Sequence, residues 1–241
     1  MLCPAPTPAN VCRLAGDPPP LRSSCWFATV TRIYTRLALF AICFLLTTLG
    51  VGLYSGRALN RIAEMRHQLS QPGDSASTLE DRAELRRQLD AIPIDQTKQS
   101  ASVHRLFGLA AAVIVMLVNS VAITYFVGTS RWCREVVDTY RLETSLVMRS
   151  ARLKWRTFPL AVVGMLTIVV VAALGAYSDP MTGRPGTWDS LDWHLTGAMT
   201  GIAVIAGIFY IQWINIAANN VVISEIMEQV RRIRAERGLE V

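Results

Sequence analysis

The sequence predicts an all-α, polytopic membrane protein with four transmembrane helices, and three observations lead to this prediction. Charged residues make up 17% of the 241 residues and apolar residues 51%, whereas a soluble domain usually has about a quarter charged residues. The charges are absent from four windows, which are residues 37–56, 106–130, 157–178 and 193–224. Each window reaches the length of about 20 residues with which a helix crosses about 30 Å of hydrocarbon.

Each window is predicted to be helical, because a lone hydrophobic strand would leave its backbone groups unpaired in lipid. The sequence also lacks the alternating segments of about ten residues that are typical of a membrane β-barrel. The first window is predicted to be a retained anchor, since its apolar core is longer than that of a cleavable signal peptide. The predicted transmembrane helices are, in order, residues 37–56, 105–129, 158–177 and 193–217.

The segments outside these helices differ in composition. Residues 1–36 are predicted to be a disordered cytoplasmic tail, because prolines crowd their first 20 positions and proline disfavours helix. Residues 57–104 are predicted to form an external helical hairpin, since Pro72-Gly73 separates two narrow apolar stripes. The other segments are predicted to be a basic cytoplasmic helical segment at 130–157, a short external loop at 178–192 and a cytoplasmic C-terminal helix at 218–241.

The distribution of basic residues predicts that both termini are cytoplasmic. The segment 128–157 contains seven lysines and arginines, whereas the segment 178–192 contains only Arg184, and basic loops tend to stay on the cytoplasmic side. The first loop, 55–105, conflicts with this orientation because it carries eight basic residues. Arginine outnumbers lysine 22 to 2, which is typical of a GC-rich genome, so the expected location is the inner membrane of a bacterium.

Four basic side chains are predicted to form a patch that rests on anionic lipid headgroups. They are Arg149, Arg152, Lys154 and Arg156. They recur at helical spacing beside the third window, and a basic amphipathic helix in this position is attracted to anionic membranes. Nucleic acid is not expected as a partner, because no recognised binding motif or stacking aromatic array accompanies the charge.

The fourth helix is predicted to run from about Asp189 to Gly238 and therefore to continue beyond the bilayer. Its uncharged window is too long for one crossing. An apolar stripe then continues into the charged terminus through Val222, Ile226, Val230 and Ile233. A helix with so thin a stripe is marginal in water by itself. We therefore expect that residues 130–150 cover the stripe.

The chain is predicted not to be an enzyme, because no nucleophile motif, phosphate loop or metalloprotease motif is present. The four windows contain no Asp, Glu, Lys or Arg, which argues against an ion-coupled transporter. The cysteines lack the paired spacing of a zinc site, and no cofactor is assigned. The polar residues inside the windows are predicted to hydrogen-bond between helices, and the main ones are Asn119, Ser120, Gln212 and Asn215.

His104 and His194 precede the second and fourth transmembrane helices, which begin on the same side of the membrane in an alternating topology. Two imidazoles at one depth could hold a haem iron as its axial ligands. The favoured alternative is an ordinary histidine at the water interface in each case. Asp189 and Asp192 could join His194 around a divalent cation, but capping of the fourth helix explains both carboxylates.

Gly197 and Gly201 form a GxxxG step in the fourth helix, and Gly108 with Ala112 forms a similar step in the second. Small residues at this spacing let two helices approach closely. The approach could occur within the chain or between copies, so a homo-oligomer or hetero-oligomer is a candidate assembly.

The leading functional prediction is a non-enzymatic membrane subunit with a structural, assembly or interaction role. One alternative is a haem-binding electron-transfer subunit that uses His104 and His194. Another is a membrane sensor in which the external hairpin moves the cytoplasmic helices. The lipid bilayer is the expected partner in all three cases.

Overall fold

The computed structural model describes residues 22–70, 76–92, 94–178 and 190–238. In this part of the chain the regular structure is entirely α-helical, as predicted. The five helices are α1 (Arg22–Ser70), α2 (Ala76–Ala91), α3 (Ile94–Tyr140), α4 (Thr144–Tyr177) and α5 (Ser190–Glu236).

Four of these helices are long and apolar enough to cross a membrane, which confirms the predicted number of candidate spans. The apolar stretches lie in α1, α3, α4 and α5, and their mean hydropathies range from 1.7 in α5 to 2.5 in α3. Helix α2 is short and polar, and it contacts α1. The described chain is therefore a bundle of four long helices with one short helix at one end.

The four long helices pack as a ring in chain order. Helix α1 contacts α3, α3 contacts α4, α4 contacts α5, and α5 closes the ring by contacting α1. Helices α3 and α5 also touch each other across the middle of the bundle. Because alternate helices of such a bundle run in the same direction, the first residues of α3 and α5 lie at the same end.

Aromatic side chains and small or β-branched ones together fill the centre of the bundle. Phe126 and Phe209 are almost completely buried, as are Ala41, Val115 and Ile205. Large apolar side chains also cover the outside of the bundle, and they include Leu39, Phe40, Leu117, Leu166 and Ile214. This distribution differs from that of a water-soluble helix, whose apolar residues form a stripe facing the core.

The predicted disordered tail, residues 1–36, is wrong for its second part, because α1 already begins at Arg22. The prolines that motivated the prediction end at Pro20, and the sequence from Arg22 to Arg36 contains none. Because no proline interrupts this stretch, α1 extends from Arg22 as one continuous helix. Residues 1–21 lie outside the described part of the chain.

The predicted hairpin, residues 57–104, consists mainly of extensions of the two neighbouring long helices. Helix α1 continues to Ser70, and α3 already begins at Ile94, so α2 is the only separate helix between them in the described residues. The Arg82 guanidinium of α2 donates a hydrogen bond of 2.7 Å to the Leu69 carbonyl of α1. The Pro72-Gly73 turn lies outside the described residues.

The predicted basic helical segment, residues 130–157, is divided between two helices. Helix α3 ends at Tyr140 and α4 begins at Thr144. Arg141 between them has a left-handed backbone with φ of 55°, and the amide of Leu142 donates to the carbonyl of Val137 at 3.0 Å. A left-handed residue after a helix ends it in this way.

Pro159 lies inside α4. Proline has no amide hydrogen, so the carbonyl of Trp155 one turn earlier loses its helical partner. The Trp155 side chain is 71% exposed at this point. The helix nevertheless continues to Tyr177.

Helix α5 is one continuous helix of 47 residues, which corresponds to about 70 Å at 1.5 Å per residue. Val222, Ile226 and Val230 are buried in a second apolar cluster with Cys133 and Val137 of α3. Leu146 of α4 completes this cluster. The predicted cover of the apolar stripe is therefore confirmed, and it comes from both sides of the α3–α4 turn.

Placing a charge in this second cluster should destabilise the protein. The side chain of Ile226 is fully buried, whereas that of Ser224 in the same helix is exposed. We expect Ile226→Asp to lower the free energy of unfolding by about 3 kcal/mol or more, because a buried carboxylate has no partner there. Ser224→Asp introduces the same charge on the exposed face and should change little.

The measurement is thermal unfolding of the two purified variants in mild detergent, together with amide exchange of residues 220–237. Protected amides in the unaltered protein and a penalty confined to Ile226→Asp are expected. Rapid exchange and equal stability of both variants would contradict the packing of this helix.

Candidate functional site

Two histidines from different helices meet near one end of the bundle. His104 lies near the start of α3 and His194 lies near the start of α5. Their ring centres are 6.3 Å apart, and the ring planes are inclined by 69°. Because α3 and α5 face each other across the ring of helices, the pair lies between all four long helices. The sequence-based expectation that the two rings share one depth agrees with this arrangement.

Each imidazole packs against a glycine of a neighbouring helix. A Cβ atom added to Gly52 of α1 would lie 2.6 Å from Cε1 of His104, and one added to Gly175 of α4 would lie 2.9 Å from Cε1 of His194. Carbon atoms that are not bonded to each other do not come so close without strain. Glycine at both positions therefore makes room for a ring, and each of the four long helices contributes one residue to this arrangement.

The Nδ1 atoms of His104 and His194 are buried and have no hydrogen-bond partner among the described residues. The ring of His104 also interacts with the backbone of Thr48. A buried polar atom without a partner costs about 1–3 kcal/mol, and native proteins contain few of them. In the described part of the chain, these two nitrogens are the buried side-chain polar atoms that lack a partner.

The other polar side chains inside the bundle are hydrogen-bonded. Tyr34 of α1 donates to Oε1 of Gln212 at 2.6 Å, and Nε2 of Gln212 donates to Oδ1 of Asn119 at 2.9 Å. Asn119 itself donates to the Val115 carbonyl at 2.9 Å. This chain of bonds, which we call the Gln212 bridge, joins α1, α5 and α3.

Further polar pairs connect α5 to its neighbours toward the α3–α4 turn. Asn215 donates to the hydroxyl of Thr157 at 3.0 Å. Asn219 donates to Thr129 at 3.1 Å and accepts from Ser150 at 2.8 Å. Of the predicted polar contacts, those of Asn119, Gln212 and Asn215 are therefore present, whereas Ser120 is exposed. Tyr34 was not predicted, because it lies outside the charge-free window.

The four residues of the predicted lipid-binding patch have different environments. Arg149 forms a two-pronged ion pair with Glu225 of α5. Arg152 and Arg156 are both exposed. Lys154 places its Nζ 5.6 Å from the centre of the Trp155 ring. The charge of Arg149 is therefore already compensated within the chain, and its contact with a lipid headgroup stays a prediction.

The two glycines of the GxxxG step pack within the chain. A Cβ atom on Gly197 would lie 2.8 Å from Cδ1 of Leu174, and one on Gly201 would lie 2.6 Å from Cγ2 of Val171. Both neighbours belong to α4. The step therefore brings α5 close to α4 and is not an unoccupied surface for a second copy.

The aspartates beside His194 do not form a metal site in the described residues. Asp192 is exposed, and Asp189 with its predicted capping role lies outside the described residues. No group of three or more His, Cys, Asp or Glu side chains suited to a metal ion occurs in the described ranges. A metal ion at the histidine pair would therefore have two ligands from the described part of the protein.

Comparisons of the chain with protein-family models, with curated proteins and with solved structures give no match. The histidine pair is the place in the described chain where polar atoms are buried without partners, and the glycines beside it are sterically required. These two properties distinguish it from the hydrogen-bonded polar groups elsewhere in the bundle.

Adding one methyl group at either of these glycines should destabilise the bundle. We expect Gly52→Ala and Gly175→Ala each to cost about 1–3 kcal/mol of stability, because the new Cβ overlaps a histidine ring. Gly56→Ala and Gly207→Ala are matched controls, since a Cβ at either position meets nothing within 4 Å. The controls should be neutral or slightly stabilising, because alanine favours helix.

Thermal unfolding of the four variants in detergent checks this expectation. A larger loss of stability for both site variants than for both controls supports the described seating of the rings. The same small effect in all four variants would show that the histidines do not pack on these glycines.

Proposed function

We propose that this protein is an integral membrane subunit that holds one haem between His104 and His194 and transfers electrons. The observation that carries this proposal is the pair of buried, unpartnered Nδ1 atoms on two imidazoles of facing helices. A bound metal would give these rings the partner that the described protein atoms do not supply.

The separation of the rings suits a shared metal ion. Metal–imidazole bonds are about 2 Å long, so two imidazoles that shared one metal ion would have ring centres up to about 6 Å apart. The observed separation is 6.3 Å. A ligating histidine commonly has a second partner for its other nitrogen, and the Thr48 backbone lies beside the His104 ring.

Haem suits the site better than a bare ion. The described residues offer two ligands at the pair and no third, and a two-ligand site holds a bare ion weakly. A haem would bring four nitrogen ligands of its own, so His104 and His194 could supply the protein ligands that its iron needs. The flat, largely apolar macrocycle also suits the apolar interior of the bundle.

A haem held by both His104 and His194 would favour electron transfer over catalysis. With both imidazoles bound, it would have no free position for oxygen or a substrate. The group would then supply one-electron chemistry, while the two histidines would hold the iron and the apolar helices around them would exclude water.

Membrane insertion is part of the proposal, and the four long apolar helices support it. Their outward-facing leucines, valines and phenylalanines would be surrounded by lipid tails instead of water. The basic residues near the α3–α4 turn favour a cytoplasmic location for that end. The histidine pair then lies near the opposite side, which is the outer side of a bacterial inner membrane.

The purified protein should have the visible spectrum of a six-coordinate haem. Expression with an adequate haem supply should give a Soret band, and reduction with dithionite should sharpen the α and β bands. His104→Ala and His194→Ala should each lose the spectrum of bis-histidine haem, because one axial ligand is missing. His67→Ala is the control, since His67 is the one histidine of the sequence besides His104 and His194.

A folded protein that contains no haem despite an adequate supply would contradict the proposed cofactor. A structural or interaction role would then be the better explanation. An unchanged spectrum in both site variants would place the haem elsewhere. Recovery of the spectrum when free imidazole is added to either alanine variant would separate lost ligation from misfolding.

The proposed topology predicts which positions face the cytoplasm. In a cysteine-free background, Thr182→Cys should react with a membrane-impermeant thiol reagent in intact cells. Thr144→Cys, in the first turn of α4, should react only after the cells are opened. The opposite pattern of labelling would invert the topology.

A further inference from the structure

A groove between α3 and α4 combines an apolar wall with several basic side chains. It has a volume of about 410 Å³ and is lined by Val127, Ser130, Arg131, Arg134, Glu135 and Lys154. All of these residues belong to α3 except Lys154, which belongs to α4. The groove lies between the helices on the side of their turn at residues 141–143, at the end of the bundle remote from the histidine pair.

The groove has an excess of positive charge. Arg131 pairs with Glu135 at 2.8 Å, so the charge of one arginine is compensated. Arg134 and Lys154 have no carboxylate partner among the described residues. Two cationic groups on neighbouring helices therefore face the same groove without a compensating anion.

The surroundings of the groove change from apolar to charged along the helix axes. Val127, which lines it, is 51% exposed, and Phe158 one turn beyond Lys154 is 38% exposed. Trp155, which follows Lys154, is 71% exposed. Exposed tryptophan beside basic residues is typical of the level at which lipid headgroups meet the acyl chains.

We propose that this groove binds the headgroup of one anionic phospholipid. The phosphate lies between Arg134 and Lys154, the hydroxyl of Ser130 is a further donor in the groove, and an acyl chain follows the apolar wall at Val127. Charge complementarity and the adjoining apolar surface together select a phospholipid over a free anion, which would use only the charges.

This site differs from a diffuse basic surface and from the patch predicted from sequence. Arg149 is compensated by Glu225, and Arg152 and Arg156 do not line the groove. Lys154 is the one residue common to the predicted patch and the groove. The proposal rests on insertion of the helices into a bilayer and is independent of the haem.

The test compares two double variants that remove the same charge. Arg134→Gln with Lys154→Gln neutralises the groove, whereas Arg152→Gln with Arg156→Gln neutralises the surface nearby. Native mass spectrometry of the detergent-solubilised full chain measures retained phosphatidylglycerol, with phosphatidylcholine as the zwitterionic comparison. Each cation near an anionic headgroup accounts for about a fivefold change in binding, so the groove variant should bind about 30-fold more weakly.

One retained phosphatidylglycerol per chain, lost in the groove variant and kept in the surface variant, is the expected result. Equal losses in the two variants would show diffuse electrostatic attraction, and no loss in either would show that the groove does not bind lipid. Competition with inorganic phosphate separates the sources of the anion, since displacement by phosphate alone would overturn a lipid-specific site. Extraction of the unaltered protein from membranes by alkaline carbonate would instead contradict membrane insertion itself.

Discussion

The side chain of Gln212 joins three helices near the middle of the bundle. It accepts a hydrogen bond from Tyr34 of α1 and donates one to Asn119 of α3. In an apolar interior no water can replace these partners, so the helices must keep the rotation and depth at which the bonds form. Gly164 of α4 packs closely against the Gln212 bridge, because a Cβ at this position would lie 3.1 Å from the Asn119 amide. The bridge therefore constrains all four long helices, including those that present His104 and His194.

The requirement that buried polar groups have hydrogen-bond partners also distinguishes the histidine pair. Close to the α3–α4 turn, the buried amides and hydroxyls of Asn215, Asn219 and Ser150 form bonds between helices. At the other end, two buried nitrogens remain without partners in the described chain. The polar groups elsewhere in the bundle are hydrogen-bonded, whereas those of this pair are not. This difference is the one expected of a site that binds a ligand. A haem held by both rings, as proposed, would give these nitrogens the partner that the described chain lacks.

The sequence predicts the helices well because the features that determine them lie within each segment of the chain. Absence of charge over a sufficient length marks each span, and the stripe through Ile226 indicates a helix that needs cover. The common depth of His104 and His194 also follows from alternating topology. In contrast, the glycines that receive the rings could not be chosen from sequence. Gly52 lies four residues from Gly56, and only the rotation of α1 in the assembled bundle determines which of them meets His104. Tyr34 was missed for a similar reason, since its partner Gln212 is remote in the chain. The turn at Arg141 could not be predicted, because the residues of the turn include no proline or glycine.

The most direct test of the account is electron paramagnetic resonance of the oxidised, purified protein, with iron and chain concentrations measured on the same sample. One iron per chain with the low-spin signal of a haem that has two imidazole axial ligands is the predicted result. The signal should change to that of high-spin iron, or disappear, in His104→Ala and in His194→Ala. A folded protein without stoichiometric haem iron, or a low-spin signal that persists in both variants, would contradict the proposed site.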